Sequence, residues 1–233
     1  MNIEVIAFDA DDTLWSNEPF FQAIERQYEK LLTAYGEPSF ISSELFKTEM
    51  NNLEKFGYGA KGFTLSMIET ALRISHQQVS TEIIQEILTL GKSLLDMPIE
   101  LLPEVEDTLK LLNGKYKLVV ATKGDLIDQQ RKLQRSGIAV YFDHIEIMPE
   151  KTGNEYKALL EKLKVEAKHF VMVGNSLKSD ILPVLAIGGH AIHIPFDVTW
   201  KHEVTEERFT SPLLKTVRTL KEAAEVVINN KWH

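Results

Sequence analysis

Three aspartates, Asp9, Asp11 and Asp12, follow the apolar run Val5-Ile6-Ala7-Phe8 within four positions, with no basic residue beside them. Carboxylates a few ångströms apart repel, and the repulsion grows as water is removed. Such a cluster needs positive charge from elsewhere, either another part of the chain or a bound cation. On an extended strand, side chains two apart share a face, so Asp9 and Asp11 are expected on one side with Asp12 turned away. Other polar groups end other apolar runs: Thr122 and Lys123 after "KLVVA", Lys151 after "HIEIMPE", and Asn175 with Asp180 in "VGNSLKSD". Gathered at one edge, these groups could hold a divalent cation and an anion together, with Lys151 offsetting part of the acidic charge.

Five runs rich in Val and Ile read as the strands that must position them: 3–9, 117–122, 144–149, 169–174 and 190–195. Most are too continuous to be half-exposed antiparallel strands. Between them lie helical patterns, such as Tyr156, Leu159, Leu160 and Leu163 at i, i+3, i+4, i+7, and Val105, Leu109 and Leu112 ahead of the second strand. The alternation predicts a Rossmann-like, doubly wound parallel sheet, in which ligands sit beyond the carboxyl ends of the strands. Residues 18–98 break the rhythm, with helical patterns and no strand. In "TEIIQEILTLGKSLL", Ile83, Ile84, Ile87 and Leu88 share a stripe with Leu94 and Leu95, and Ser80 or Thr81 is the expected cap. The expected organisation is an α/β core from 1–17 and 99–233, with 18–98 as an inserted α-helical cap domain. Gly188 and Gly189 read as a helix stop, and the final "NNKWH" as a frayed end.

The 233 residues suffice for a core domain with an insert. Net charge is −8, which argues against a nucleic-acid or anionic-membrane partner, although a metal and local lysines can still set the sign at a phosphate site. Cysteine is absent, which excludes disulfides, thiolate catalysis and zinc–cysteine sites. No signal-like segment precedes the first strand and no apolar run is long enough to cross a bilayer, so the expectation is a cytoplasmic protein. Oligomeric state is not legible.

"VIAFDADDT" resembles the first signature of the haloacid-dehalogenase-like (HAD) hydrolase superfamily, Asp-x-Asp-x-Thr at the end of the first strand. A Thr ending the second strand, a Lys before a later helix and a Gly-Asp-Ser/Thr-x-x-x-Asp-like loop after the fourth strand follow in order, and the helical insert falls where the family's first-type cap does. Four marks in register outweigh any one. The resemblance implies a phosphatase in which Asp9 attacks phosphorus and Asp11 serves as acid and then base. It implies that Thr122 and Lys151, with Lys123 beside them, hold the substrate phosphate. It also implies Mg²⁺ on Asp9, the Asp11 backbone carbonyl and the loop carrying Asn175 and Asp180. The expected substrate is a small phosphorylated metabolite of the nucleotide or sugar phosphate class. One departure stands out: the family's first loop Asp is Asn175 here, which predicts weaker metal affinity without lost chemistry.

Three alternatives compete. A 2-haloacid dehalogenase would use the same nucleophile on carbon without metal, but has no leaving alcohol for Asp11 to protonate. A receiver-type phosphorylation switch would lack both Asp11 and the helical insert. A non-catalytic phosphometabolite-binding protein is motivated by Asn175 alone. "FGYGAKGF" (56–63) reads either as a substrate-facing cap loop or as a helix connection. Trp15, Asn17, Glu18 and Phe20 read first as packing. His190 and His193 show no metal-ligand spacing.

Overall fold

A computed structural model describes residues 2–205 and 210–232. Strand β1 (Val5–Phe8) is followed by four helices: α1 (Glu18–Leu31), α2 (Pro38–Phe56), α3 (Ala60–Ile74) and α4 (Thr81–Asp96). Helix and strand then mostly alternate through α5 (Val105–Leu112), β2 (Lys117–Lys123), α6 (Leu126–Arg135), β3 (His144–Met148), α7 (Gly153–Leu163), β4 (Phe170–Gly174), α8 (Leu182–Ala186), β5 (His190–His193), β6 (Leu214–Thr216) and α9 (Leu220–Ile228). The chain divides into two units. One comprises Met1–Glu18, Ile99–Lys123 and Gln129–His233, the other Pro19–Pro98 with Gly124–Asp128.

The first unit is a six-stranded parallel sheet in the order β3-β2-β1-β4-β5-β6, the Rossmann-like α/β architecture. Alternation along β1 sorts its side chains onto two faces. Ile6 and Phe8 join a cluster with Leu109, Leu133 and Val227, whereas Val5 and Ala7 join one with Tyr156, Leu160 and Val184. The strand order reverses between β1 and β4, which makes their carboxyl ends the switch point where ligands bind in such sheets. Where the chain leaves and re-enters this unit, the two segments are bonded side by side. Ser16 N donates to Glu100 O at 3.0 Å, and Leu102 N to Leu14 O at 3.0 Å.

The helical unit has its own core, built from Ile24, Tyr28, Ile41, Leu45, Phe63, Met67, Ile87 and Leu94 among others. Ser80 caps α4, its side chain accepting from Ile83 N. Gly91 is where α4 meets α3: a Cβ there would lie 2.0 Å from Thr64 Oγ1, so no larger residue fits. The packed residues of α4 are Ile83, Ile84, Ile87, Leu90, Leu94 and Leu95 beside Gly91, whereas Leu88, expected on the stripe, lies outside the cluster at the edge of the buried face. Within "FGYGAKGF", residues 57–59 form the α2–α3 connection, with Gly57 and Gly59 at φ 68° and 100°, and the last four residues begin α3. Its Lys61 pairs with Asp125 at 2.9 Å, an exposed ion pair worth at most about 1 kcal/mol.

Two features of the carboxy-terminal region differ from the sequence expectation. Strand β6 was not anticipated, since "LKT" carries almost no apolar signal and is held by pairing to β5. Trp232 is not frayed but buried at 3% exposure, its indole centroid 4.7 Å from the His190 ring. Among the described residues no helix is long and apolar enough to cross a membrane.

Candidate active site

Each of the three aspartates has a different source of compensation. Asp9 emerges from β1, its backbone N–H bonded to Val173 O of β4 at 2.9 Å. Its Oδ1 accepts from Lys151 Nζ at 2.5 Å, and the same ammonium reaches Asp180 Oδ1 at 2.6 Å. All three groups are buried. Burial pushes the Asp9 carboxyl up to about 7 despite Lys151, with Asp180 adding to the rise. Burial also opposes charge on Lys151, but Asp180 and Asp9 outweigh it and hold the ammonium well above its ordinary value.

Asp12 solves its problem with backbone. At φ 62° it turns its carboxylate to the N–H groups of Asn17 at 2.8 Å and Glu18 at 3.0 Å, where α1 begins and unbonded donors are exposed. Burial raises it to about 7 nonetheless, against those two donors. Asp11 has a side-chain clamp. Trp15 Nε1 lies 2.7 Å from Oδ1, Gln129 Nε2 lies 2.7 Å from Oδ2, and Lys132 Nζ is 3.1 and 3.2 Å from the two oxygens.

The loop after β4 completes the cluster. Thr13 Oγ1 stands 3.2 Å from both Asp9 Oδ2 and Asn175 Oδ1, so these two oxygens converge on one point. Asp180 Oδ2 accepts from Ser176 N at 3.0 Å, which leaves both of its oxygens engaged. Gly174 makes this possible, since a Cβ there would lie 2.3 Å from Asp180 Oδ2.

Asp9, Lys151, Asn175 and Asp180 are thus brought together. Thr122 is buried near the end of β2, two residues beyond the Phe8–Val120 register pair, and its hydroxyl donates to Lys123 O at 3.4 Å. Lys123, expected at a phosphate, is drawn into an ion pair with Glu203 and donates to Ser179 Oγ at 2.9 Å. Glu203 also accepts from the hydroxyls of Ser176 and Ser179. Burial opposes its charge, but Lys123 and the two hydroxyls outweigh it and hold the carboxyl at about 2.

Glu203, Gln129, Lys132 and the role of Thr13 were missed from sequence. Thr13 lay inside the quoted signature. Gln129 and Lys132 left a subtler sign: "LIDQQRKLQR" has too few apolar residues at helical spacing for a stripe, so polar side chains must share its inward face with Leu133. Glu203 left none, lying on an irregular segment after β5.

The oxygens on Asp9 and Asn175 are hard donors suited to a small dication. Two buried carboxyl groups, Asp9 and Asp180, share one ammonium, so a cation beside Asp9 would meet uncompensated acidic oxygen. Among the described residues no three acidic or histidine side chains cluster tightly enough to hold a metal by themselves. An ion here would need the Asn175 amide and backbone oxygens as well, and the residues fit on that basis.

A parallel α/β sheet with buried carboxylates and a lysine gathered at its switch point is an arrangement suited to hydrolytic chemistry, and sequence comparison supplies the class. The model of the haloacid dehalogenase-like hydrolase family matches residues 3–188, and the chain belongs to that family. A haloacid dehalogenase-like family hydrolase from Xanthomonas campestris is 35% identical, with 99% of this chain and 93% of that chain covered and a TM-score of 0.87. Two more distant structures share the fold. The HAD-hydrolase YfnB from Bacillus subtilis, solved bound to magnesium, is 16% identical, covering 98% of this chain and all of that one (100%), with a TM-score of 0.67. A 2-haloacid dehalogenase from Pseudomonas syringae pv. Tomato DC3000 is 20% identical over 97% of this chain and 99% of its own, with a TM-score of 0.66. Solved neighbours thus include dehalogenases, and they include a HAD phosphatase as well. No curated protein matches the sequence.

Proposed function

We propose that this hydrolase is a Mg²⁺-dependent phosphatase acting on a small phosphorylated metabolite of the nucleotide or sugar phosphate class. The observation that carries the reading is Asp11, a second carboxylate two residues after the nucleophile and held by three side chains. Displacing a halide leaves nothing to protonate. Displacing an alkoxide does.

In the proposed reaction the Asp9 carboxylate forms a bond to phosphorus as the ester P–O bond breaks, and the leaving oxygen takes a proton from Asp11. A water then attacks the aspartyl-phosphate, giving its proton back to Asp11 as the Asp9–P bond breaks and phosphate departs. Lys151 offsets the charge on Asp9 and, with Thr122, would bind phosphoryl oxygens. Asp9, the Asp11 backbone carbonyl and Asn175 would hold Mg²⁺, with Asp180 orienting Lys151 and the loop. When bound, the ion neutralises phosphoryl charge, and electrostatics and positioning supply most of the catalysis in phosphoryl transfer.

A panel of phosphate monoesters assayed with and without Mg²⁺, beside Asp9→Asn, tests this. Wild type should release phosphate only with the ion, and the variant should be inactive. Wild-type rates from Asp9→Asn would end the mechanism. Asn175 in place of an acid favours a second reading, a metal-free 2-haloacid dehalogenase, because Lys151 alone would then offset Asp9. Chloride release from 2-chloropropionate in EDTA would select it.

A further inference from the structure

Helix α6 places Leu133 in the core cluster, yet polar side chains share its buried face. Leu126 and Ile127 are exposed, while Gln129 and Lys132 are 4% and 5% exposed. Lysine is almost never buried so deeply without a partner. Here Lys132 Nζ spans both oxygens of Asp11 and reaches Asn17 Oδ1 at 2.8 Å.

Gln129 sits one turn earlier on the same face. Its Nε2 bonds Asp11 Oδ2 at 2.7 Å and the Lys123 carbonyl, at the end of β2, at 3.1 Å. Two acceptors around one nitrogen fix the amide's orientation, since the flipped form would turn Oε1 toward a carboxylate and a carbonyl. That orientation leaves Oε1 buried with no hydrogen-bond partner among the described residues. An unpaired amide oxygen in the interior is a cost that the two bonds made by Nε2 must offset.

With Trp15 on Oδ1 and Gln129 on Oδ2, the single Lys132 ammonium is shared between the two Asp11 oxygens, so three donor groups serve four lone-pair positions. We propose that Lys132 and Gln129 are positioning residues that hold the Asp11 carboxylate as the base for the second half of the reaction, hydrolysis of the aspartyl-phosphate. The inference rests on the phosphatase reading above. In that step water loses its proton to Asp11 while its oxygen bonds phosphorus and the Asp9–P bond breaks. A carboxylate left free to rotate would meet that water only part of the time.

The test uses p-nitrophenyl phosphate, whose phenolate leaves without needing a proton, so that only the second half calls on Asp11. In Gln129→Met and Lys132→Met, kcat should fall about 10²-fold. Over the same comparison kcat/KM, which reports formation of the phosphoenzyme, should fall far less. A burst of p-nitrophenolate near one per active site should precede the slow steady state, with phosphoenzyme accumulating in acid-quenched samples. Lys132→Met strips Asp11 of its counter-charge and risks misfolding. Gln129→Met removes no charge, and its unfolding midpoint should stay near wild type. Equal losses in kcat and kcat/KM without a burst, or an unchanged kcat, would overturn the assignment while leaving the phosphatase reading intact. A wild-type enzyme that releases no phosphate overturns both.

Discussion

Glu203 shows how a single side chain can organise a site it does not enter. Its carboxylate takes up the Lys123 ammonium and the hydroxyls of Ser176 and Ser179, which lie inside the segment bounded by Asn175 and Asp180. Glu150 faces the same ammonium from across β3's end at 3.9 Å, and Lys178 bonds the neighbouring His202 backbone. Because the folded-state value, about 2, lies below the ordinary 4.5, Glu203 contributes stability that is fully present above pH 4.5. That contribution disappears as pH falls from 4.5 towards 2. Denaturant unfolding of wild type and Glu203→Gln across this window should give curves that differ by about 2 kcal/mol at pH 7 and converge near pH 2. A constant gap at every pH would mean that the carboxylate's charge is not what matters.

At the scale of elements, the strands that carry function were the most legible. β1, β2 and β4 are continuous apolar runs because both faces are covered, and their polar exits stood out against that background. The loop after β5, β6 and the carboxy-terminal tail were not legible. β6 is held by pairing to β5, Glu203 by Lys123 and two serine hydroxyls, and Trp232 by an aromatic contact, none of which leaves a period in the sequence. That contact is testable. Trp232 covers His190, and burial lowers the imidazole's pKa, with the Phe170 backbone opposing it. Trp232→Ala should cost about 3–5 kcal/mol, as for other buried aromatics. It should also let the His190 NMR titration rise towards the ordinary 6.5. A tail that truly frayed would leave both stability and titration unmoved.

For the whole molecule, what matters is that one polypeptide builds two separate cores. The residues that bury Tyr28 and Leu45 share no cluster with those that bury Phe8 and Val173, so each unit has its own hydrophobic driving force. The proposed metal ligands lie in the α/β unit alone. An ion that binds only the native form of that unit stabilises it by about 2.7 kcal/mol at a hundredfold excess over Kd. It gives nothing directly to the helices of the other unit. Calorimetry should therefore resolve two transitions, with MgCl2 raising only one of them in wild type and neither in Asp9→Asn. Leu45→Ala should lower the other by about 2–5 kcal/mol and leave the Mg²⁺-dependent transition where it was. A single transition that responds to both Leu45→Ala and Mg²⁺ would show that the two cores melt as one and that the helical unit reports metal occupancy, a coupling that neither core's packing predicts.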